Sequence, residues 1–407
     1  VPSPTRTLTR HDVAGYVVST VFAPGATGRV GIELEWVTVP TAGAAAPTPE
    51  QIRAALPAEL PGASRVTFEP GGQLELSGPV HGDLATACRA MDADTTAARA
   101  ALAGHGIDLV GTGLDATGAR DRVLDAPRYR AMEEYFDTHW PAGRTMMRNT
   151  ASIQVNVEIG DAPDIAARWR RAHDLGPVLV AAFANSPFDA HGRATGWCSS
   201  RFAVWDGIDP SRTSSAYADG LDPCAAFTQY VLDARVMMIW PDAEHAVVPR
   251  PYLTFGEWID HGHELGFPTP DDLAYHLTTL FPPVRPRGWL ELRMIDGLPD
   301  EWWPVAVAVA TAVLDDPDTT RAVDAALADV RGRWSTAARQ GLADPALRAA
   351  TDACFTAALR TLPAMGADTA TIAATEEYQR RYVARGRSPA HDRLDERATT
   401  KAAAATA

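Results

Sequence analysis

Four short segments constrain this chain most, because in each of them acidic or amide side chains recur two residues apart. They are Gly31-Ile-Glu33-Leu-Glu35, Glu69-Pro-Gly-Gly-Gln73-Leu-Glu75, Ser152-Ile-Gln154-Val-Asn156-Val-Glu158 and Trp289-Leu-Glu291-Leu-Arg293. A period of two puts alternate side chains on one face of a β-strand. Glu33 and Glu35 then project together, while Ile32 and Leu34 turn the other way. Such strands bury the apolar face and gather carboxylates on the other. Ionised carboxylates held together repel one another and resist desolvation. Divalent cations remove that penalty, and hard oxygen donors suit magnesium.

Taken singly, the segments have plainer readings. A Glu pair on a strand is often a solvated face, but Val30, Leu34 and Trp36 mark this strand as buried. In Glu69-Pro-Gly-Gly-Gln-Leu-Glu75 the glycines allow a tight turn close to a ligand. A turn alone needs no carboxylate at each end. The run from Arg144 through Arg148, Thr150 and Ser152 leads into the amide-bearing strand, and arginine captures carboxylate or phosphate with two prongs. Glu291 and Arg293 share a face. They form either a simple salt bridge or, beside a metal-bound phosphate, a pair that acts on a transferring phosphoryl group.

The 407 residues are 46% hydrophobic, ample for one large domain or two closely packed ones. A formal net charge of -14 argues against a nucleic-acid partner, and no basic block points to a membrane surface. Pro304 to Leu314 is too short to span a bilayer and reads as a buried helix. Val1 to Arg6 lack the apolar core of a secretion signal. Cys88, Cys198, Cys224 and Cys354 form no CxxC pair, so no zinc site is expected, and scattered thiols fit a reducing cytoplasm. The one lysine is Lys401. That excludes a Walker-type phosphate loop, a kinase-type site and Schiff-base catalysis. Any phosphate must be held by arginine, metal or backbone amides.

Periodicity and turn residues predict a helix over 8–22, a strand over 29–39, a loop from Thr41 to Pro49, and paired strands at 64–69 and 73–78. A helix over 83–104 and a strand over 107–114 follow. Further helices are expected at 127–137, 162–185 and 271–280, with 226–239 helical or mixed, and strands at 150–159, 201–205 and 288–295. Helices then fill about 301–315, 318–341, 344–362 and 366–385. Strands first and helices last define an α+β class. The expected organisation is a catalytic part over 1–300, helices over 301–385 packed on the same domain, and a disordered tail over 386–407.

Six strings, in this order, resemble the plant-type glutamate–cysteine ligase family. They are Gly31-Ile-Glu-Leu-Glu35, Phe68-Glu-Pro-Gly-Gly-Gln-Leu-Glu-Leu-Ser-Gly78, Gln154-Val-Asn156, Phe183-Ala-Asn-Ser-Pro-Phe188, Leu277-Thr-Thr-Leu-Phe-Pro282 and Glu291-Leu-Arg293. The Ala- and Arg-rich background is similar to that of actinobacterial members that feed γ-glutamylcysteine into ergothioneine synthesis. The resemblance departs at Glu158, where plant members usually carry Asp.

The resemblance implies a glutamine-synthetase-like funnel of mostly antiparallel sheet with outer helices and a helical C-terminal region. It also implies two or three magnesium ions between ATP and glutamate, held by Glu33, Glu35, Glu69, Glu75, Gln154 and Glu291. Arg148, Thr150, Ser152, Asn156 and Arg201 are the expected substrate residues. Arg293, with Glu291, is expected at the transferred phosphoryl group. The implied reaction is ATP-dependent ligation of the glutamate γ-carboxylate to the amine of cysteine, through γ-glutamyl phosphate. The partners are these small molecules, with no nucleic acid or membrane, and the state is a monomer or weak dimer in the cytoplasm. A ligase with another amine acceptor and a guanidino-type phosphotransferase stay open as alternatives.

Overall fold

The computed structural model describes residues 7–41 and 46–406, with side chains as far as 400. The reading of Val1–Arg6 lies outside these residues, as does part of the Thr41–Pro49 loop.

Seven strands form one antiparallel sheet among the described residues: β1 (Val30–Pro40), β2 (Arg65–Phe68), β3 (Leu74–Ser77), β4 (Ile107–Val110), β5 (Ser152–Glu158), β6 (Val284–Pro286) and β7 (Trp289–Asp296). The order is β2-β3-β1-β5-β7-β6, and β4 pairs with the far half of β1. The sheet does not close, so β2 and β6 remain as edges. Register brings the acid-bearing segments side by side. Glu33 lies opposite both Ser77 and Gln154, Glu35 opposite Glu75, and Asn156 opposite Glu291. The β5–β7 ladder shifts between Ile153 and Val155, next to Gln154.

The period of two sorts the two faces as expected. Ile32, Leu34, Trp36, Leu74, Leu76, Ile153, Val155, Leu290 and Leu292 are buried on one side. Helices Leu84–Ala103, Ile165–Ala182 and Trp303–Asp315 pack against β1, β7 and β5 respectively. Burial of these side chains contributes roughly 1.5–3 kcal/mol each relative to exposure. The stretch Pro304–Leu314 is the innermost of these helices, buried along nearly its whole length. A second, methionine-rich cluster, with Met132, Met146, Met147, Met237 and Met238, lies under short helices that roof the polar face.

Helix starts follow a simple rule. At Thr48-Pro49, Asp222-Pro223, Thr269-Pro270, Asp316-Pro317 and Asp344-Pro345 the polar side chain accepts a first-turn backbone N–H, and the proline sits where no donor is needed.

Three local expectations are corrected. Residues 201–205 are not a strand: Ser199 Oγ accepts the Phe202 N–H at 3.1 Å and caps a helix over Ser200–Asp206. The helix expected over 318–341 is two, Pro317–Ala328 and Trp334–Gln340, interrupted at Gly332 with φ of +71°. Within the tail expected to be disordered, Pro389–Thr406 is helical. Its alanines favour helix, the Ala390 N–H donates to the Ala184 carbonyl at 3.0 Å, and Arg393 reaches Asn185 at 2.7 Å.

Candidate active site

The polar face of β1, β3, β5 and β7 opens into a cavity of about 290 Å³. Glu33, Glu35, Glu69, Glu75, Gln154 and Glu291 all line it, with Thr150, Ser152, Arg201 and Arg293. The turn after β2 supplies Glu69. Gly71 makes this possible, because its Cα abuts the Arg148 carbonyl and a Cβ there would collide with it, while Gly72 takes φ of +87°.

Oxygen atoms of Glu35, Glu69 and Glu75 lie within 4.8 Å of one another, a spacing that could hold one metal ion. Among the described residues none of these three, nor Glu33, makes a salt bridge. Hydrogen bonds orient them instead. Glu35 accepts from the Ser152 N–H at 2.8 Å, Ser152 Oγ at 2.9 Å and Gln154 Nε2 at 3.1 Å. Glu75 accepts from Thr67 and Ser77 hydroxyls, each at 2.7 Å. Burial, then the charges of Glu35 and Glu75, push the Glu69 carboxyl well above the usual carboxylate range. Burial and then Glu75 raise Glu35. Burial, then Glu291 and Glu75, lift Glu33 to about 7.

Glu291 is different. Burial works to raise it, yet Arg285, Arg293 and Arg287 outweigh burial and hold it at about 2. Arg285 Nε meets Glu291 Oε2 at 2.5 Å, Arg293 meets it at 3.0 Å, and Arg287 stands 3.5 Å from Oε1. Arg293 also donates to Gln154 Oε1 at 2.6 Å, so the Gln154 amide is shared between Arg293 and Glu35. The cavity therefore has an acid half without cations bound to it and an arginine half around a single neutralised carboxylate.

Two expected substrate residues lie elsewhere. Arg148 does not line the cavity; its guanidinium is turned to Glu133 on helix Pro127–Asp137, with Nε at 2.8 Å from Oε1. It tethers that helix to its own, Gly143–Asn149. Asn156 faces a neighbouring cavity of about 600 Å³, donating to Glu33 and accepting from the Trp289 indole, both at 3.1 Å. Thr150, Ser152 and Arg201 do face the acid cavity.

Several lining residues carried no signal that was read from sequence. Arg285 and Arg287 alternate in Val284-Arg-Pro-Arg287, and the β6–β7 pairing places Arg285 opposite Glu291. The alternation beside a Gly288 turn was the available clue. Arg128 and Tyr129, from the first turn of helix Pro127–Asp137, had none.

The chain belongs to the glutamate–cysteine ligase family 2 (GCS2), whose model matches residues 29–405. The glutamate–cysteine ligase EgtA of Mycolicibacterium smegmatis is 39% identical over 401 residues, spanning 96% of this chain and 92% of that protein. The chloroplastic glutamate–cysteine ligase of Arabidopsis thaliana is 30% identical over 287 residues, 69% of this chain and 54% of that one. A crystal structure of the Francisella tularensis glutamate–cysteine ligase in complex with AMP superposes with a TM-score of 0.53 at 13% identity. It covers 91% of this chain and 85% of that one, a likeness of fold.

Proposed function

We propose that the chain joins the γ-carboxylate of glutamate to the amine of cysteine at the expense of ATP, as the step that supplies γ-glutamylcysteine for ergothioneine synthesis. One observation carries this reading: acids that make no salt bridge among the described residues and a cluster of arginines around Glu291 line one cavity. Such a division suits a reaction that brings a polyphosphate to a carboxylate.

The residues fit divalent metal. The donors are hard oxygens, and burial together with neighbouring carboxylates raises Glu35 and Glu69, a cost that a divalent cation would relieve. Glu35, Glu69 and Glu75 would hold one magnesium ion, and Glu33 with Glu291 would contribute to a second. Bound magnesium screens the repulsion between attacking carboxylate and phosphate. Gln154 orients Glu35 and Arg293.

Chemistry proceeds by two displacements. A γ-carboxylate oxygen of glutamate attacks the terminal phosphorus of ATP, and the bond to ADP breaks, giving γ-glutamyl phosphate. The cysteine amine then attacks the acyl carbon, phosphate departs, and a cavity carboxylate accepts the amine proton. Arg293, with Arg285 and Arg287, meets charge on the transferring group. Thr150, Ser152 and Arg201 line the substrate side, and Arg201 offers a buried Nε that has no protein partner. No covalent enzyme nucleophile is needed.

No helix among the described residues is long and apolar enough to cross a membrane. The four free cysteines support a cytoplasmic setting, where we place the protein as a monomer or weak dimer.

Product mass analysis after incubation with ATP, magnesium, glutamate and a panel of amino acids tests the reading. The expected result is γ-glutamylcysteine with stoichiometric ADP. ADP release that needs no amine, with a phosphorylated nitrogen as product, overturns it.

A further inference from the structure

The C-terminal helix Pro389–Thr406 is linked through buried polar groups to Arg201 on the cavity wall. Arg393 Nε donates to Asn185 Oδ1 at 2.7 Å, and its NH2 donates to the Gly111 carbonyl at 2.8 Å. Asn185 has no exposed surface. Its side-chain amide donates to the Gly111 and Gly297 carbonyls, and its backbone N–H donates to Asp296 Oδ2 at 2.8 Å. Ser186 Oγ and Ser199 Oγ complete the shell of Asp296, at 2.7 and 2.9 Å. Asp296 Oδ1 stands 3.9 Å from Arg201 NH1, and Arg201 NH2 donates to the Arg293 carbonyl at 2.9 Å. The path ends at Arg201, whose buried Nε has no protein partner; among the described residues Arg128, on the same cavity, carries another such Nε.

We infer that Arg393 is a positioning residue for the amino-acid substrate: it fixes Asn185, which with two serines fixes Asp296, which holds Arg201 toward the substrate carboxylate. This rests on the reading of Arg201 given above. The physical reason is satisfaction. Remove Arg393 and Asn185 Oδ1 is buried without a donor, so the amide is free to turn and release its two carbonyl anchors. Asp296 then loses the rigid strand end that aims its carboxylate. A guanidinium displaced by about 1 Å loses the alignment that two-pronged binding requires. The effect falls on substrate binding and leaves the phosphoryl-transfer groups in place.

The experiment compares Arg393→Ala and Arg393→Lys with Arg387→Ala. Arg387 pairs with Asp392 and Asp395 and does not reach Asn185, so it reports helix docking alone. Steady-state kinetics, melting temperature and glutamate titration calorimetry are measured for each. Arg393→Ala is expected to raise KM for glutamate about tenfold, with kcat and KM for ATP changed less than about twofold. Arg393→Lys, with one charged donor, is expected between the two, near threefold, and it decides the matter if the alanine variant does not fold. Arg387→Ala is expected to behave as the parent. An unchanged glutamate KM in both Arg393 variants overturns the inference, and so does an equal rise in Arg387→Ala. A parent enzyme that fails to saturate with glutamate overturns the reading of Arg201 itself, a result distinct from either.

Discussion

Glu291 and Arg285 lie opposite each other in the β7–β6 pairing and join through a 2.5 Å ion pair that is almost wholly shielded from solvent. Arg293 and Arg287 share the same carboxylate. One anion is thus shared by three cations, and burial lowers Arg285 to about 10 even so. Glu291→Gln is expected to do two things at once. Turnover should fall by about 10²-fold or more, as for loss of a preorganised electrostatic group. Stability should also fall, by about 3 kcal/mol, because breaking a buried pair leaves its partners uncompensated. Denaturant melts beside kinetics measure both. Near-parental turnover at saturating magnesium would remove Glu291 from the mechanism.

Glu69→Gln should act in the opposite sense on the empty protein. Its carboxyl is raised by burial and by Glu35 and Glu75, so replacing it by an amide relieves repulsion. The metal-free melting temperature should rise by about 2 °C, while the upward shift on adding magnesium should shrink or vanish. A lower melting temperature without metal would contradict the repulsion argument.

The pH dependence follows from Glu33. Its folded value of about 7 exceeds the ordinary 4.5, with burial the first cause. The folded, metal-free protein therefore takes up a proton, and the stability this confers is full below about 4.5 and is lost as pH rises through 7. A metal ion prefers the ionised form. Magnesium affinity should strengthen from pH 6 to 8, approaching tenfold per unit below pH 7, with proton release on binding. Calorimetry in buffers of different ionisation enthalpy reads the protons directly, and affinity independent of pH would count against Glu33 as a ligand.

Gly71→Ala probes the turn that carries Glu69. The added methyl meets the Arg148 carbonyl, which is backbone and does not swing aside. A loss of about 1–3 kcal/mol is expected, together with weaker magnesium binding, since Glu69 and Glu75 flank the turn. Circular dichroism melts and a magnesium titration are sufficient. An unaltered melt would show that the turn tolerates relaxation.

The strands were legible because one face of each had to be apolar. Ile32 with Leu34, Ile153 with Val155, and Leu290 with Leu292 alternate with the acids and amides, and the sheet follows that alternation. The helices after Thr269, Asp316 and Asp344 begin within two residues of where they were expected, whereas the helix after Thr48 was not expected. The segment 201–205 misled, since Phe202, Val204 and Trp205 suit a strand while the deciding contact is a hydroxyl cap from Ser199. The tail misled because composition favours disorder, yet Ala390 and Arg393 find partners more than two hundred residues earlier.

Local periodicity, then, decided which residues share a face, and so which carboxylates could meet; that follows from backbone geometry and from the need to bury one side of a strand. Which carboxylate is neutralised was decided only by tertiary pairing. The edge strand β6 brings Arg285 and Arg287 to Glu291, while among the described residues Glu35, Glu69 and Glu75 make no salt bridge. Arg148 was drawn off to Glu133 and Arg201 was kept on the cavity wall for the same reason. The strength of a buried charge depends on what stands within a few ångströms, and spacing along the chain does not specify that.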